Sequence, residues 1–274
     1  MTIRLGCVPE HFSAPLMYAM ESDSLQGLKV DLMIKKLVSG DLDVAICVTE
    51  GLVAGIGNNK EASLGLFGTY VDSPLPWAAS VKAGSRFSTL DDLGFGATFG
   101  ISRLGSGSQV IAQYAASQYE WKEEPKFKII GDVNGLVAGI ENNEVDAFLW
   151  ERTTMNKFYA QEKVMYLGTV RAPWPAFSFG ARKEYVEQNR EKIDQLLHAV
   201  GARVKGFMDC DEKVRQEFVC KGMGYAVDDY KAWLAYVVFN TDGGRVDRRN
   251  IANVVKALVR AGAMEECDVG EIIV

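Results

Sequence analysis

A few side chains in this chain have the types and spacing that chemistry needs. Glu10 and His11 follow the first apolar run, Ile3 to Val8, and His11 is one of two histidines. An imidazole beside a carboxylate can pass a proton near neutral pH, so His11 with Glu50 or Glu151 is a candidate acid–base pair. Thr49-Glu50 and Glu151-Arg152 each end a short apolar run, Val44 to Val48 and Val145 to Trp150. Ser102-Arg103-Leu104-Gly105-Ser106-Gly107-Ser108 opens a helical pattern running to about Tyr119. Small residues at a helix N-terminus with a fork-shaped guanidinium suit an anion. The stretch has neither the lysine of a phosphate-binding Walker loop nor the GxGxxG spacing. Trp77 and Trp174 stand beside prolines and can wall a binding cleft.

The elements that must position these groups repeat. Ser39-Gly40-Asp41-Leu42-Asp43 leads into Val44 to Val48, and about a hundred residues later Glu141 to Glu144 lead through Val145-Asp146 into the second run. Such runs, apolar throughout, suit strands covered on both faces. Ligands of open α/β sheets sit at the carboxyl ends of such strands. Two similar units, each ending in polar residues, predict two lobes facing one cleft.

Pro74-Leu75-Pro76-Trp77 and Pro173-Trp174-Pro175 follow strands expected over Leu64 to Val71 and Val164 to Thr169. Proline fixes φ and removes a ladder donor, which suits a crossing between lobes. This divides the chain into a discontinuous lobe, 1–76 and 177–274, and an inserted lobe, 77–176. Ser13 is the expected N-cap of a helix through Met20. A second strand is expected over Leu28 to Leu32, and Met33 to Val38 reads as a helix with no connection between them. A strand and its crossover helix usually need about 2–6 linking residues, so a segment is expected to be missing after Leu32. Leu90 to Leu93 reads as a short helix, Gly96 to Ile101, Lys126 to Ile130 and Phe177 to Arg182 as strands. Beyond Lys183 the pattern is helical: Glu184 to Met208, Asp211 to Gly222, Asp228 to Asn240 and Asp247 to Ala261.

Composition narrows the functions. The 274 residues are 48% hydrophobic and 24% charged, enough for a real core in an ordinary globular chain. A net charge of −6 argues against nucleic acid, which needs a basic surface. No apolar run reaches the length of a membrane span. The five cysteines are irregularly spaced and lack CxxC pairs, which fits reduced thiols and no structural zinc; no metal is expected. Met1 to Val8 lacks the regions of a secretory signal, so a cytoplasmic location is expected.

The Ser39-to-Ile46 unit, Leu90-Asp91-Asp92-Leu93 before Gly96 to Ile101, and the Ser106-Gly107-Ser108 helix start together resemble the type II periplasmic-binding-protein fold over nearly the whole chain. More narrowly they resemble the branch of nitrate, sulfonate and taurine solute-binding proteins and fungal thiamine-pyrimidine synthases, and most of all a cytosolic fungal-type member. The resemblance implies an α/β fold of two lobes with two hinge crossings and a helical C-terminal region. It implies a small-molecule binding protein closing on an anionic or zwitterionic ligand, sulfonate-like or like a thiamine-pyrimidine precursor. The ligand-contacting residues would be Glu10, His11, Thr49, Glu50, Trp77, Ser102, Arg103, Gly105, Ser106, Glu151, Arg152 and Trp174. The alternative is an enzyme of thiamine-pyrimidine metabolism using His11 and a cleft carboxylate. Pyridoxal phosphate belongs only to that alternative; otherwise no cofactor is expected. The synthases carry a cysteine-rich cluster and a pyridoxal-phosphate lysine. This chain has no such cluster, and Lys35 and Lys36 match no such lysine. No oligomeric state follows from the sequence.

Overall fold

The structure, a computed structural model, describes residues 3–19, 25–242, 244 and 246–274. The chain forms two compact units. Unit 1 comprises Met1–Ser73, Trp174–Val255 and Glu266–Val274; unit 2 comprises Pro74–Pro173 and Lys256–Glu265. The expected division therefore needs correction. Lys256–Glu265 clusters with unit 2 and not with the discontinuous lobe, and the two boundaries fall at Pro74 and Pro173. The reason is packing: in unit 2 the Ala261 carbonyl accepts from Gln109 Nε2 at 3.3 Å, and Ala263 lies against Gly105.

The strands are β1 (Leu5–Cys7), β2 (Leu25–Gly27), β3 (Val44–Val48), β4 (Leu64–Val71), β5 (Pro76–Val81), β6 (Thr98–Ile101), β7 (Lys126–Ile129), β8 (Ala147–Glu151), β9 (Met165–Arg171) and β10 (Phe177–Arg182). Unit 1 holds a sheet of order β2-β1-β3-β10-β4 and unit 2 one of order β7-β6-β8-β5-β9. In each the first three strands are parallel, and the fourth runs antiparallel to both its neighbours. The same arrangement thus occurs twice.

The helices of the first half are α1 (Ala14–Ala19), α2 (Val30–Ser39), α3 (Thr49–Gly57), α4 (Gly107–Gln118), α5 (Val133–Glu141) and α6 (Arg152–Ala160). After β10 come α7 (Lys183–Gln188), α8 (Arg190–Asp209), α9 (Glu212–Glu217), α10 (Val227–Leu234), α11 (Arg248–Arg260) and α12 (Val269–Ile272). The expected C-terminal helices are shorter than their patterns. The first breaks at Asn189, Asp211 to Gly222 ends in a π-turn over Phe218–Gly222, and α10 stops at Leu234.

The second strand also differs from expectation. It occupies Leu25–Gly27, and α2 begins at Val30, so Leu28 and Lys29 supply the link and the chain needs no further segment after Leu32. Met33, Ile34 and Leu37 are the buried residues of α2, a helical spacing that overlapped the apolar run read as a strand. Ser13 does not cap α1: its hydroxyl donates to the Val8 carbonyl at 2.6 Å. The expected helix end at Met20 lies outside the described residues.

Each repeated Asp locks its strand to the neighbouring parallel one. Asp43 N–H donates to the Arg4 carbonyl (3.0 Å) and its carboxylate accepts from Arg4 N–H (2.8 Å). Asp146 makes the same reciprocal pair with Thr98, both bonds 2.8 Å. Both lie just before β3 and β8, so the turn residue fixes the register that its apolar strand alone would leave loose. In unit 1, Gly180 of β10 lies under Leu52, whose Cδ1 would be 2.5 Å from a Cβ there; α3 can approach β10 this closely only over glycine. The unit 2 core gathers Leu136, Ile140, Phe148, Met155 and Phe158. The unit 1 core is aromatic around Phe12, Phe177, Phe179, Tyr70 and Trp233.

Candidate functional site

In unit 1 the polar residues after β3 are built into the fold. Thr49 is wholly buried; its N–H donates to the Ala176 carbonyl (3.0 Å) and its hydroxyl lies 2.8 Å from Ser178 Oγ. These bonds join the start of α3 to β10. Glu50, the second residue of α3, is 2% exposed. Trp174, on the segment before β10, donates its indole N–H to Glu50 Oε2 at 3.1 Å, while Oε1 is buried without a partner among the described residues. Burial pushes this carboxyl up to about 7, against the opposing effects of its own N–H and the Trp174 indole. It can therefore exchange a proton near neutrality.

His11 lies in a single 3-10 turn over His11–Ser13 and is fully buried, not in an open loop. Its ring packs 4.4 Å from Phe12, 4.7 Å from Tyr225 and 5.1 Å from Trp233, centre to centre. Glu10, just before it, is half-buried. Two of these three aromatics, Tyr225 and Trp233, come from more than two hundred positions away, which no local pattern announces.

In unit 2, Ser102, Arg103, Gly105 and Ser106 form the connection from β6 to α4. Ser102 and Arg103 are half-buried, and an Arg103 N–H donates to the Leu104 carbonyl at 3.4 Å. Gly105 has φ +70°, a conformation that favours glycine, and its N–H donates to Gln109 Oε1 at 2.7 Å. Gln109, which the sequence did not single out, thereby holds the loop in shape. Ser106 stands at the N-cap position without a side-chain cap bond; its buried hydroxyl lies 3.0 Å from that of Ser108. Helix starts leave backbone N–H groups without intrahelical partners, which keeps this loop chemically suited to an anion.

Glu151 is placed differently from its counterpart Glu50. It caps α6, its two oxygens accepting from the N–H groups of Thr153 (2.8 Å) and Thr154 (2.7 Å). Trp77 on β5 is its cross-strand neighbour and is 7% exposed. Arg152 lies over the rings of Tyr166 and Tyr159, 4.5 and 5.3 Å from their centres. Burial pushes the Tyr159 hydroxyl up to about 12, with a bond to Ser80 (2.7 Å) and the Arg152 charge working the other way. The structure thus gathers Thr49, Glu50 and Trp174 in unit 1, and Glu151 with Trp77 in unit 2. Ser178 was the other missed residue; a single hydroxyl between Phe177 and Phe179 was its only sequence signal. Among the described residues no group of three or more His, Cys, Asp or Glu side chains could hold a metal ion.

Residues 77–170 match the family described as Ca3427-like PBP. The chain is 25% identical to the Candida albicans CA3427 gene product, reported to define a family exhibiting the generic periplasmic binding protein fold. That match covers 98% of this chain and 92% of the other, with a TM-score of 0.84. The alkanesulfonate-binding protein SsuA of Xanthomonas axonopodis pv. citri, bound to MOPS, is 12% identical; coverage is 100% and 96%, and the TM-score 0.78. The nitrate-binding protein NrtA of Synechocystis is 13% identical, with coverage of 99% and 86% and a TM-score of 0.70. No curated protein matches the sequence. The chain has the periplasmic-binding-protein fold, with likeness to sulfonate- and nitrate-binding members and to a fungal one.

Proposed function

We propose that this protein is a small-molecule binding protein for an anionic or zwitterionic ligand, working in the cytoplasm. The observation that carries the reading is Glu50, a buried carboxyl at a strand's carboxyl end, half-satisfied by an indole and not used to cap its helix. Isolated buried acids of this kind cost stability and are concentrated at functional sites. The Gly105–Ser106 loop with Arg103 supplies the anion contact. The named ligands of SsuA and NrtA are anionic or carry a sulfonate, which agrees with that contact. All five cysteines are free thiols, compatible with a reducing compartment. Enzyme chemistry at His11 gains no observation of its own, because its ring is enclosed by three aromatics.

The test is thermal shift against alkylsulfonates, taurine, thiamine-pathway pyrimidines and pyridoxal phosphate. A ligand at a hundred times its Kd stabilises the native state by about 2.7 kcal/mol. Arg103→Ala is expected to weaken binding of an active ligand about tenfold without lowering the Tm of the free protein, a reasonable cost for one charge-assisted bond. Unchanged affinity would remove Arg103 from the contact.

A further inference from the structure

Resting on that reading, we infer that Glu50 receives a protonated nitrogen of the ligand. The preferred ligand is then a zwitterion bearing an ammonium or a protonated ring nitrogen, in preference to a simple oxyanion. The geometry sets this choice. The Trp174 N–H fixes Oε2 and so orients the carboxyl, leaving Oε1 as the one buried acceptor still to be met. The adjacent hydroxyls of Thr49 and Ser178 are 2.8 Å apart and satisfy each other, so neither competes for that oxygen. No side chain caps α3, and Glu50 stands one residue inside it, so the carboxylate does not serve as that helix's cap.

An oxyanion placed at Oε1 would meet like charge once the acid ionised. An ammonium supplies the missing hydrogen bond and a counter-charge together, the arrangement that makes a buried charge tolerable. In the free protein burial holds the carboxyl at about 7, so binding an ammonium near neutrality displaces at most one proton to solvent. Glu151 cannot take the same part, because both of its oxygens serve the first turn of α6.

Matched probe pairs that differ only by the amine test the assignment: taurine with ethanesulfonate, β-alanine with propionate, and phosphoethanolamine with ethyl phosphate. In at least one pair the amine-bearing member should bind tenfold or more tightly, read by thermal shift and confirmed calorimetrically. Glu50→Gln, which keeps the shape of the protonated acid, should bring that ratio to about one. Trp174→Phe, which removes the orienting N–H, should reduce it in part. Equal affinity for both members in every pair that binds overturns the role of Glu50 and leaves the binding reading intact. Preference for the amine-free member does the same, as does an amine preference that survives Glu50→Gln. No binding by any member overturns both. The wild-type comparison decides the matter even if a variant fails to fold.

Discussion

The β3–α3 and β8–α6 junctions are the same piece of architecture made twice, with the glutamate given two different duties. Each begins with an aspartate tied reciprocally to the next parallel strand, runs through a buried strand, and places a glutamate at the start of a helix. At Glu151 the helix consumes the carboxylate. At Glu50 the glutamate lies two residues further along relative to the helix start, the side chain misses the capping position, and an indole takes one oxygen. A two-residue offset thus separates a structural cap from a buried acid with one oxygen unmet among the described residues. The lesson is that a repeated motif preserves register while leaving the duty of its polar residue open.

The largest expected effect that would break this contrast is at Glu50. An acid whose folded-state value is raised holds its proton more tightly when folded, so its native-state cost grows as pH rises from about 4.5 to about 7. Glu50→Gln should therefore stabilise the protein at pH 8 by up to about 3 kcal/mol, the full shift converted at about 1.4 kcal/mol per unit. At pH 4.5 the gain should vanish; urea unfolding at the two pH values measures it, and a gain independent of pH would refute the origin given.

Next in size is Asp43→Ala, at about 2 kcal/mol lost, the scale for hydrogen bonds to a charged group. Burial pushes the Asp43 carboxyl up, but the Arg4 hydrogen bonds and charge outweigh this and hold it below its ordinary value. Its contribution is therefore present above about pH 4 and disappears as pH falls, the reverse of Glu50. Asp146→Ala should cost less, about 1 kcal/mol, because Thr98 offers a backbone N–H and no guanidinium. Equal losses, measured by denaturant midpoints, would erase that difference between the units.

The smallest effect is at Glu151. Glu151→Ala should cost about 1 kcal/mol through loss of the α6 cap. The substitution should leave ligand affinity within twofold. A tenfold fall in affinity would show that the two junctions are alike after all.

The repeated Asp–strand unit was legible because strand period and turn chemistry are local: Asp43 and Asp146 act within the loops that hold them. The Gly105–Ser106 helix start was legible for the same reason. Glu50 and Glu151 were readable as strand-end acids but not as different ones, since which of them caps its helix depends on where the helix starts, and a pattern of apolar residues does not fix that boundary. The burial of His11 was not legible, because Tyr225 and Trp233 reach it from far along the chain. The strand expected over Leu28 to Leu32 failed where period two and period 3.6 overlap, at the entrance to α2. Gln109 acts through the Ala261 carbonyl, a partner that only folding supplies.

The strand orders also say something about the sequence of events during synthesis. Every strand of the unit 2 sheet lies between Pro76 and Arg171, so that sheet can be assembled as soon as this stretch has left the ribosome. The unit 1 sheet is interrupted: β10 belongs between β3 and β4, both made about a hundred residues earlier. Until Phe177–Arg182 emerges, β3 and β4 wait with unfilled edges, and the Leu66–Ile273 bridge closes only at the very end of the chain. Open strand edges are adhesive. The nascent protein is thus expected to need its protection from aggregation in the interval between the translation of Val71 and Arg182, by the end of which all five strands of the unit 2 sheet have been made.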